Sequence, residues 1–279
     1  KIKVRLFPFY RNDIVGAFNR FDERIGRSLR PQIRIPDMSH TQKLSFGYVE
    51  MRRTDEAMRG SAALPITLDA LSNLENHVDV KHGRMFSSEL QDDVFEVMVS
   101  ELAMKELKLL LGEEYEIAIN FESGGESIRV RVVGVYARAP IDDGFWFEEA
   151  FIFEQSLLID YNLFVREFVD ANPDMTREGL TDAIWYYALD YGEISATGLD
   201  GILTAIEKQI RDAKDIIGAD LSIPMLPILE QYNERAKRLQ TILWFVQIPV
   251  LIILAFYLYM VSSLIIMQEK NEIALLKSR

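Results

Sequence analysis

The sequence contains no cysteine, so disulfide bonds and thiolate zinc sites are excluded. Histidine is scarce as well: His40, His77 and His82 stand apart, and none forms a pair at the spacing of a metal-binding helix. The patterns GxxxxGKS/T, GxSxG, HExxH and SxxK are also missing, which removes common signatures of nucleotide-binding proteins, serine hydrolases and metalloproteases. We therefore predict neither a catalytic residue nor a bound metal or cofactor.

Charge is missing from a long stretch near the end of the chain. Residues 239–268 contain no Asp, Glu, Lys or Arg, and about 20 apolar residues are enough to span a bilayer. Pro249 lies inside this stretch, and membrane helices tolerate such a proline. We predict a transmembrane helix at 241–267 and, continuous with it, a stalk helix at 223–240.

The formal net charge of −12 is unevenly distributed. Residues 1–50 hold ten basic and five acidic side chains, whereas residues 51–229 carry a net charge of −19. This acidic surface argues against nucleic acid as a partner, because phosphates require a basic face. The basic beginning fits either anionic lipid headgroups or an ordinary solvated surface.

Residues 1–222 alternate between strand and helix patterns and predict a mixed α+β domain. Ser100 is a predicted helix N-cap, and Gly112 is the predicted end of that helix. The chain begins with Lys1 and shows no signal peptide, so we expect a fragment or a processed chain. The main predicted strands are 2–9, 43–51, 94–99, 115–122 and 127–137, and the main predicted helices are 14–29, 100–111 and 198–217.

Acidic and aromatic side chains meet in residues 140–150, around Gly144. Four carboxylates there suggest either a calcium loop or a solvated loop, and the solvated loop is favoured: Asp142, Asp143, Glu148 and Glu149. Three neighbouring rings form a candidate contact for a partner or for lipid, although core packing is favoured: Phe145, Trp146 and Phe147. A second aromatic group is predicted to lie in the core: Trp185, Tyr186 and Tyr187.

The charged end of the chain, EKNEIALLKSR, closely resembles the segment after the second membrane helix of FtsX-like (MacB-type) permease subunits of ABC transporters. In that family this helix is typically followed by E-I-A/G-L-L-K/R. The matching positions, which the resemblance places towards the ATP-binding subunit, are Glu272, Ile273, Ala274, Leu275, Leu276 and Lys277. The version with Ser278 and Arg279 looks like a Gram-positive branch of the family.

A second stretch, HGRMFSSELQDDVFEVMVSELAMKELKLLLGEEYEI, is similar to a conserved part of the family's extracytoplasmic domain. VRVVGVY at 130–136 also resembles a family strand, whereas Phe86 stands where the family commonly has a proline. The resemblance covers residues 77–136 and 229–279. The matching positions of the longer stretch are Gly83, Arg84, Glu96, Val99, Ser100, Glu101, Leu107, Gly112, Glu113 and Tyr115.

The resemblance implies a permease subunit that spans the cell membrane several times when intact. Residues 1–230 would be extracytoplasmic, with a domain like the MacB periplasmic core, and residues 268–279 would begin a cytoplasmic segment. Expected partners are a cytoplasmic ATP-binding subunit, a second permease copy or paralogue, the lipid bilayer, and an extracytoplasmic ligand. That ligand is a peptide, a lipoprotein, an antibiotic or a cell-wall hydrolase, and nucleic acid is not expected. Such subunits work by mechanotransmission, in which ATP hydrolysis by the partner moves membrane helices and stalks.

Two other classes of protein fit the outline of a domain followed by a membrane helix. One is the ligand-sensing domain and second membrane helix of a receptor kinase, which would normally continue into a Pro-containing relay helix that QEKNEIALLKSR does not resemble. The other is a membrane-anchored enzyme, for which no catalytic pattern is present. We therefore expect a non-enzymatic permease subunit, with the receptor as the alternative.

Overall fold

The computed structural model of the chain separates into two units, Lys1–Met225 and Leu226–Arg279. We call the first unit the domain and the second the helical unit. The structure describes the following residues: 2–6, 14–24, 35–54, 64–119, 126–140, 144–147, 155–171, 179–190, 192, 198–212 and 220–277.

Strands and helices both contribute to the described part of the domain, which confirms the α+β class. The strands are β1 (Ile2–Leu6), β2 (Asp37–Arg53), β3 (Leu64–Leu71), β4 (Val78–Gly83), β5 (Val94–Ser100), β6 (Glu114–Ile119), β7 (Glu126–Arg138), β8 (Ser156–Asp160), β9 (Leu180–Leu189) and β10 (Asp220–Ser222). The helices are α1 (Ile14–Arg24), α2 (Glu101–Glu106), α3 (Tyr161–Phe164), which continues as a π-helical turn (Val165–Asp170), and α4 (Leu199–Asp212), with one 3₁₀ turn (Leu74–Asn76).

Six of these strands close into a ring of hydrogen-bonded pairs, in the order β2, β3, β8, β5, β7, β6 and back to β2. The long strand β2 makes closure possible, because its later half pairs with β3 on one side and its last residues pair with β6 on the other. Closing a sheet removes the exposed edges at which foreign strands could pair. The ring therefore forms a rigid centre for the domain.

Four further strands extend the sheet outside the ring. On one side, β9, β1 and β10 follow β2, and β1 pairs antiparallel with β10 so that Lys3 lies opposite Ser222. On the other side, β4 pairs with β7. Two pairs within the ring are parallel, β3 with β8 and β5 with β7. Because parallel strands end at the same edge, they can bring loops together into a site.

Aromatic side chains fill the core on two sides of the sheet. Phe46 packs against Phe164 and Phe168, with ring centres 4.9 and 5.0 Å apart. Trp185 on β9 packs against Phe21 of α1 at 4.7 Å, and its indole nitrogen donates a hydrogen bond to Asp22. Trp185, Tyr186 and Tyr187 are all buried, which confirms that they belong to the core.

The helix predicted at 100–111 is shorter in the structure. Ser100 is its N-cap, because the hydroxyl accepts a hydrogen bond from the backbone N–H of Ala103. The helix ends at Glu106, because Lys108 turns to a positive φ of 52°. The prediction of Gly112 as the end of the helix was therefore wrong, and Gly112 instead occupies a later turn with φ of 83°.

Several predicted elements extend beyond the described residues. Strand β1 and helices α1 and α4 agree with their predictions as far as they are described. The last parts of these three predicted elements lie outside the described residues: 7–9 for β1, 25–29 for α1 and 213–217 for α4. β2 is longer than predicted. β6 and β7 form the antiparallel pair expected of a hairpin.

The helical unit consists of one helix, α5 (Leu226–Lys277), of 52 residues. It passes through Pro249 without interruption and includes the predicted transmembrane segment and the predicted stalk from residue 226 onward, whereas residues 223–225 of the predicted stalk precede the helix. Most of its described apolar side chains are exposed, although Leu229 is buried, and Leu226–Met267 is long and apolar enough to cross a membrane. Among the described residues, no other helix has this property.

Candidate functional site

A pocket lies where the parallel strands β3 and β8 end together, with Leu71 opposite Asp160. After β3 the chain turns at Asn73, whose φ is 59°, into the 3₁₀ turn. After β8, helix α3 begins at once, and the Asp160 carboxylate caps it by accepting a hydrogen bond from Leu163 N–H at 2.8 Å. Ligand sites commonly form at the carboxyl ends of parallel strands, where loops diverge.

We call this cavity the polar pocket. Its volume is about 340 Å³, at the lower end of the range of ligand pockets, roughly 300–1,000 Å³. Hydroxyl, amide and carboxylate groups share its lining with apolar side chains. The lining residues are Leu71, Ser72, Asn73, Leu74, Glu75, Met85, Phe86, Ser88, Asp160, Tyr161 and Asn162.

Among the described residues of the lining, the charged side chains are Glu75 and Asp160, both acidic, and there is no Lys, Arg or His. Leu71 and Leu74 form an apolar floor that is continuous with a buried core cluster, and Met85 and Phe86 pack against the same cluster. The pocket therefore combines a negatively charged rim with an apolar base.

A chain of hydrogen bonds fixes the side of the polar pocket that faces α1. The Tyr161 hydroxyl donates to the side-chain oxygen of Gln42, and the Gln42 amide donates to Asp22 at 2.6 Å. Ser72 is held by the same strand, because its hydroxyl accepts from Gln42 N–H at 2.8 Å. Burial raises the pKa of the Tyr161 hydroxyl, so Tyr161 stays protonated and remains a donor to Gln42.

The loop of residues 84–88, which supplies Met85, Phe86 and Ser88 to the pocket, is held by the buried carboxylate of Glu96. Glu96 accepts hydrogen bonds from both terminal nitrogens of Arg84, one of them at 2.7 Å, and from Ser87 N–H at 2.9 Å. The Glu96 side chain is 1% exposed, whereas that of Arg84 is 54% exposed. The hydrogen bonds between the two side chains keep the pKa of Glu96 below its usual value and the pKa of Arg84 above its usual value.

Close backbone contact anchors the beginning of this loop. Gly83 has φ of 74°, and a β-carbon there would lie 2.1 Å from the Val133 carbonyl oxygen. Gly134 on β7 is also in close backbone contact, because a β-carbon there would lie 2.2 Å from the Arg84 carbonyl oxygen. Only glycine fits at either position, since any side chain would force β4 away from β7.

Several positions of the sequence match therefore have structural roles in the domain, and some of them hold the 84–88 loop of the pocket. Gly83 allows the close contact, Arg84 and Glu96 hold the loop, and Ser100 caps α2. The Tyr115 hydroxyl accepts from Leu110 N–H at 3.0 Å and donates to Glu113 at 3.1 Å. Burial is the main reason why the pKa of Tyr115 is raised.

Core packing, the favoured interpretation of residues 145–147, is confirmed for Phe145, which is therefore not available as the candidate partner contact. Its side chain is 1% exposed and stacks on His77, with ring centres 3.8 Å apart. Trp146 stacks on Tyr136, and Phe147 stacks on Tyr186, so both rings are partly buried against the sheet. The physical reason is that each ring finds an aromatic partner on the domain itself.

The other predicted site residues are only partly covered by the structure. The backbone of residues 272–277 continues α5, and the side chains of this segment lie outside the described residues. The four carboxylates of the acidic loop also lie outside: Asp142, Asp143, Glu148 and Glu149. Among the residues that are described, no group of three or more metal-binding side chains is placed to hold an ion.

The sequence patterns did not reveal the polar pocket. Ser72, Asn73 and Asn162 are ordinary turn and capping residue types, and nothing in their spacing joins residues so far apart in the chain. The one usable signal was the turn-rich stretch directly after a short apolar strand.

Comparison of the chain with protein-family models finds no match, and comparison with curated proteins finds none. Membership of the permease family, which the resemblance of residues 77–136 and 229–279 suggests, therefore stays a prediction.

Proposed function

We propose that the chain is the extracytoplasmic domain and second membrane helix of a permease subunit in an ABC-type export or mechanotransmission complex. The observation that carries the proposal is α5, a single helix that begins within four residues of β10 and ends in the charged segment of residues 268–277. A continuous helix is the element required to carry a displacement from one side of a membrane to the other.

The length of α5 suits this role. At about 1.5 Å per residue, its 52 residues span about 78 Å, which is more than twice the hydrocarbon thickness of about 30 Å. The uncharged residues 239–268 alone span about 45 Å, close to the thickness of a bilayer with its headgroups. The polar turns before this stretch can therefore project from the membrane as a stalk.

In the proposed mechanism, a separate cytoplasmic subunit binds and hydrolyses ATP and displaces the segment of residues 268–277. Helix α5 carries this displacement to the domain, whose closed ring of six strands responds as one body. A second permease copy or a paralogue completes the membrane part. The domain then acts on a peptide, a lipoprotein, an antibiotic or a cell-wall hydrolase, and residues 1–230 lie outside the cell.

The receptor-kinase hypothesis requires the same domain and the same helix, and the polar pocket is a specific observation in its favour. A sensing domain needs a ligand cavity, and the pocket of about 340 Å³ can serve as one. The two functions differ in what adjoins residues 268–279 in the intact protein: a contact for an ATP-binding subunit in a permease, or a kinase domain in a receptor.

The deciding experiment is purification of the intact native protein in mild detergent, followed by mass spectrometry of the proteins that accompany it. We expect an ATP-binding subunit in stoichiometric amount. It should be lost when residues 272–277 are replaced by a Gly/Ser stretch, while the permease still inserts into the membrane.

Two controls separate the possible causes of that loss. Replacement of residues 272–277 by alanines keeps a helix but removes the side chains, so loss in both variants assigns the contact to the side chains. Replacement of residues 230–235 in the stalk should leave the subunit bound. A kinase domain in the same chain, or a response regulator without an ATPase, would overturn the permease proposal.

A further inference from the structure

We propose that the polar pocket binds a primary ammonium group carried on a short aliphatic arm. Both a free alkylamine and a lysine side chain of a peptide have this chemistry. The inference goes beyond the proposed function, because it stands on the geometry of the pocket and applies equally to a permease and a receptor.

The charge of the pocket selects for a cation. Glu75 and Asp160 are the charged members of its lining. Two arginines donate to backbone carbonyls of lining residues, but each is already paired with a glutamate, Arg84 with Glu96 and Arg166 with Glu167 at 2.9 Å. A cation entering the pocket is thus attracted by two carboxylates, and a phosphate or carboxylate ligand would be repelled.

The polar groups of the lining suit an ammonium head. A primary ammonium has three N–H donors and no acceptor, so it needs several oxygen acceptors around it. Asp160 uses one oxygen, Oδ1, to cap α3, and a carboxylate can accept further hydrogen bonds. The hydroxyls of Ser72 and Ser88 and the amide oxygens of Asn73 and Asn162 supply further acceptors in the same lining.

The apolar base of the pocket suits the arm. Leu71 and Leu74 are buried at its floor, and Met85 and Phe86 pack beside them against the core cluster. An alkyl chain of four or five carbons buries its methylenes on such a surface while its charged end stays at the rim, as lysine side chains do.

Two features keep the site formed before a ligand arrives. The 84–88 loop is fixed by the buried Glu96 carboxylate, and Ser88 also accepts a hydrogen bond from Arg166 through its carbonyl oxygen at 3.2 Å. On the opposite side, Ser72 and Tyr161 are both bonded to Gln42. A preformed pocket avoids the entropic cost of ordering loops upon binding.

The test titrates n-pentylammonium chloride into the full chain in detergent micelles, with methionine methyl groups labelled with ¹³C. The Met85 methyl resonance, assigned with a Met85→Leu variant, reports on the pocket. We expect it to shift and to saturate with n-pentylammonium, and not with 1-pentanol, which has the same arm without the charge. Sodium chloride at equal concentration controls for ionic strength.

Charge-neutralising variants connect this binding to the two carboxylates. The double variant Glu75→Gln with Asp160→Asn should weaken n-pentylammonium binding at least tenfold, and Asn retains the capping role of Asp160. The matched control, Asp79→Asn with Asp93→Asn, removes two exposed carboxylates outside the pocket and should bind normally. Glu75→Gln alone changes an exposed side chain and provides a variant in which folding is not at risk.

A second pair of probes identifies the source of the amine. If acetyl-Gly-Lys-Gly-amide shifts Met85 and its norleucine counterpart does not, the pocket accepts peptides. If n-pentylammonium binds and the lysine peptide does not, the ligand is a free amine. The proposal is overturned if n-pentylammonium produces no saturable shift of Met85, if 1-pentanol produces the same saturable shift, or if the pocket and control variants lose binding equally. None of these outcomes affects the association with an ATP-binding subunit.

Discussion

Removal of Arg84 should destabilise the domain more than neutralisation of Glu96, although the two residues share one ion pair. The Glu96 carboxylate is 1% exposed and accepts three hydrogen bonds, two from Arg84 and one from Ser87 N–H. Arg84→Met removes the two from Arg84 and leaves the one from Ser87 N–H. Loss of one partner of a buried pair costs about 3 kcal/mol, because the remaining charge is uncompensated. Glu96→Gln instead keeps an oxygen acceptor, and the 54% exposed Arg84 regains water, so we expect a cost of about 1 kcal/mol.

Urea unfolding of the full chain in micelles, followed by tryptophan fluorescence, measures this difference at pH 7. Urea is preferred to guanidinium because a salt would screen the ion pair. Arg52→Met is the matched control, since Arg52 and Glu50 form an exposed pair at 3.1 Å and exposed pairs contribute little. Equal costs for the two variants, or a larger cost for Glu96→Gln, would refute the reasoning that burial of the carboxylate decides the outcome.

The same pair predicts how stability changes with pH. The pKa of Glu96 is lowered in the folded state, so the pair stabilises the domain above about pH 4.5, the ordinary pKa of the group. This contribution is lost as pH falls through the folded-state pKa, when the carboxylate takes up a proton. The native domain should therefore lose more stability than Glu96→Gln between pH 5 and strongly acidic pH. Urea unfolding of the native domain and of Glu96→Gln at each pH measures this difference. Equal losses of stability in the two proteins would contradict the lowered pKa of Glu96.

Five other substitutions, at four positions, test the local geometry. Gly83→Ala should destabilise the domain by about 3 kcal/mol, because it adds a β-carbon at positive φ against a carbonyl oxygen; Gly201→Ala, in α4 with open space around it, should stabilise by about 0.5–1 kcal/mol. Ser100→Ala should cost about 1 kcal/mol and Ser100→Asp much less, since aspartate also caps a helix. Tyr115→Phe should cost about 1 kcal/mol, because it removes an acceptor for Leu110 N–H. Urea unfolding measures each change, and equal effects of the two glycine variants, or of the two Ser100 variants, would contradict these explanations.

The parts of the fold that sequence patterns predicted are those set by local physics. The alternation of apolar residues at 127–137 appears as β7, and the uncharged run at 239–268 lies within α5. Ser100 caps its helix because capping depends on a few neighbouring residues. The early end of α2 was missed because the left-handed turn at Lys108 has no sequence signal of the kind that glycine provides.

The parts that could not be predicted depend on contacts between distant segments. Closure of the ring requires β3 to pair with β8 and β2 with β6, and no periodicity reveals which strands meet. The polar pocket exists only because those pairings bring Leu71 beside Asp160. The stacking of Phe145 on His77 is visible only in three dimensions, because no pattern in the sequence joins two residues so far apart in the chain.

The pairing of β1 with β10 decides how the domain responds to mechanical load. Lys3 lies opposite Ser222, so β1 begins and β10 ends at the same corner of the sheet. Pulling these two ends apart loads the three pairs between β1 and β10 one after another, as in unzipping, and each offers little resistance alone. Moving both ends in the same direction places no load on those pairs, and the domain travels as a unit. The domain therefore withstands being moved as a whole but resists little when the start of β1 and the end of β10 are pulled apart. Such tension would open it first at Lys3 and Ser222.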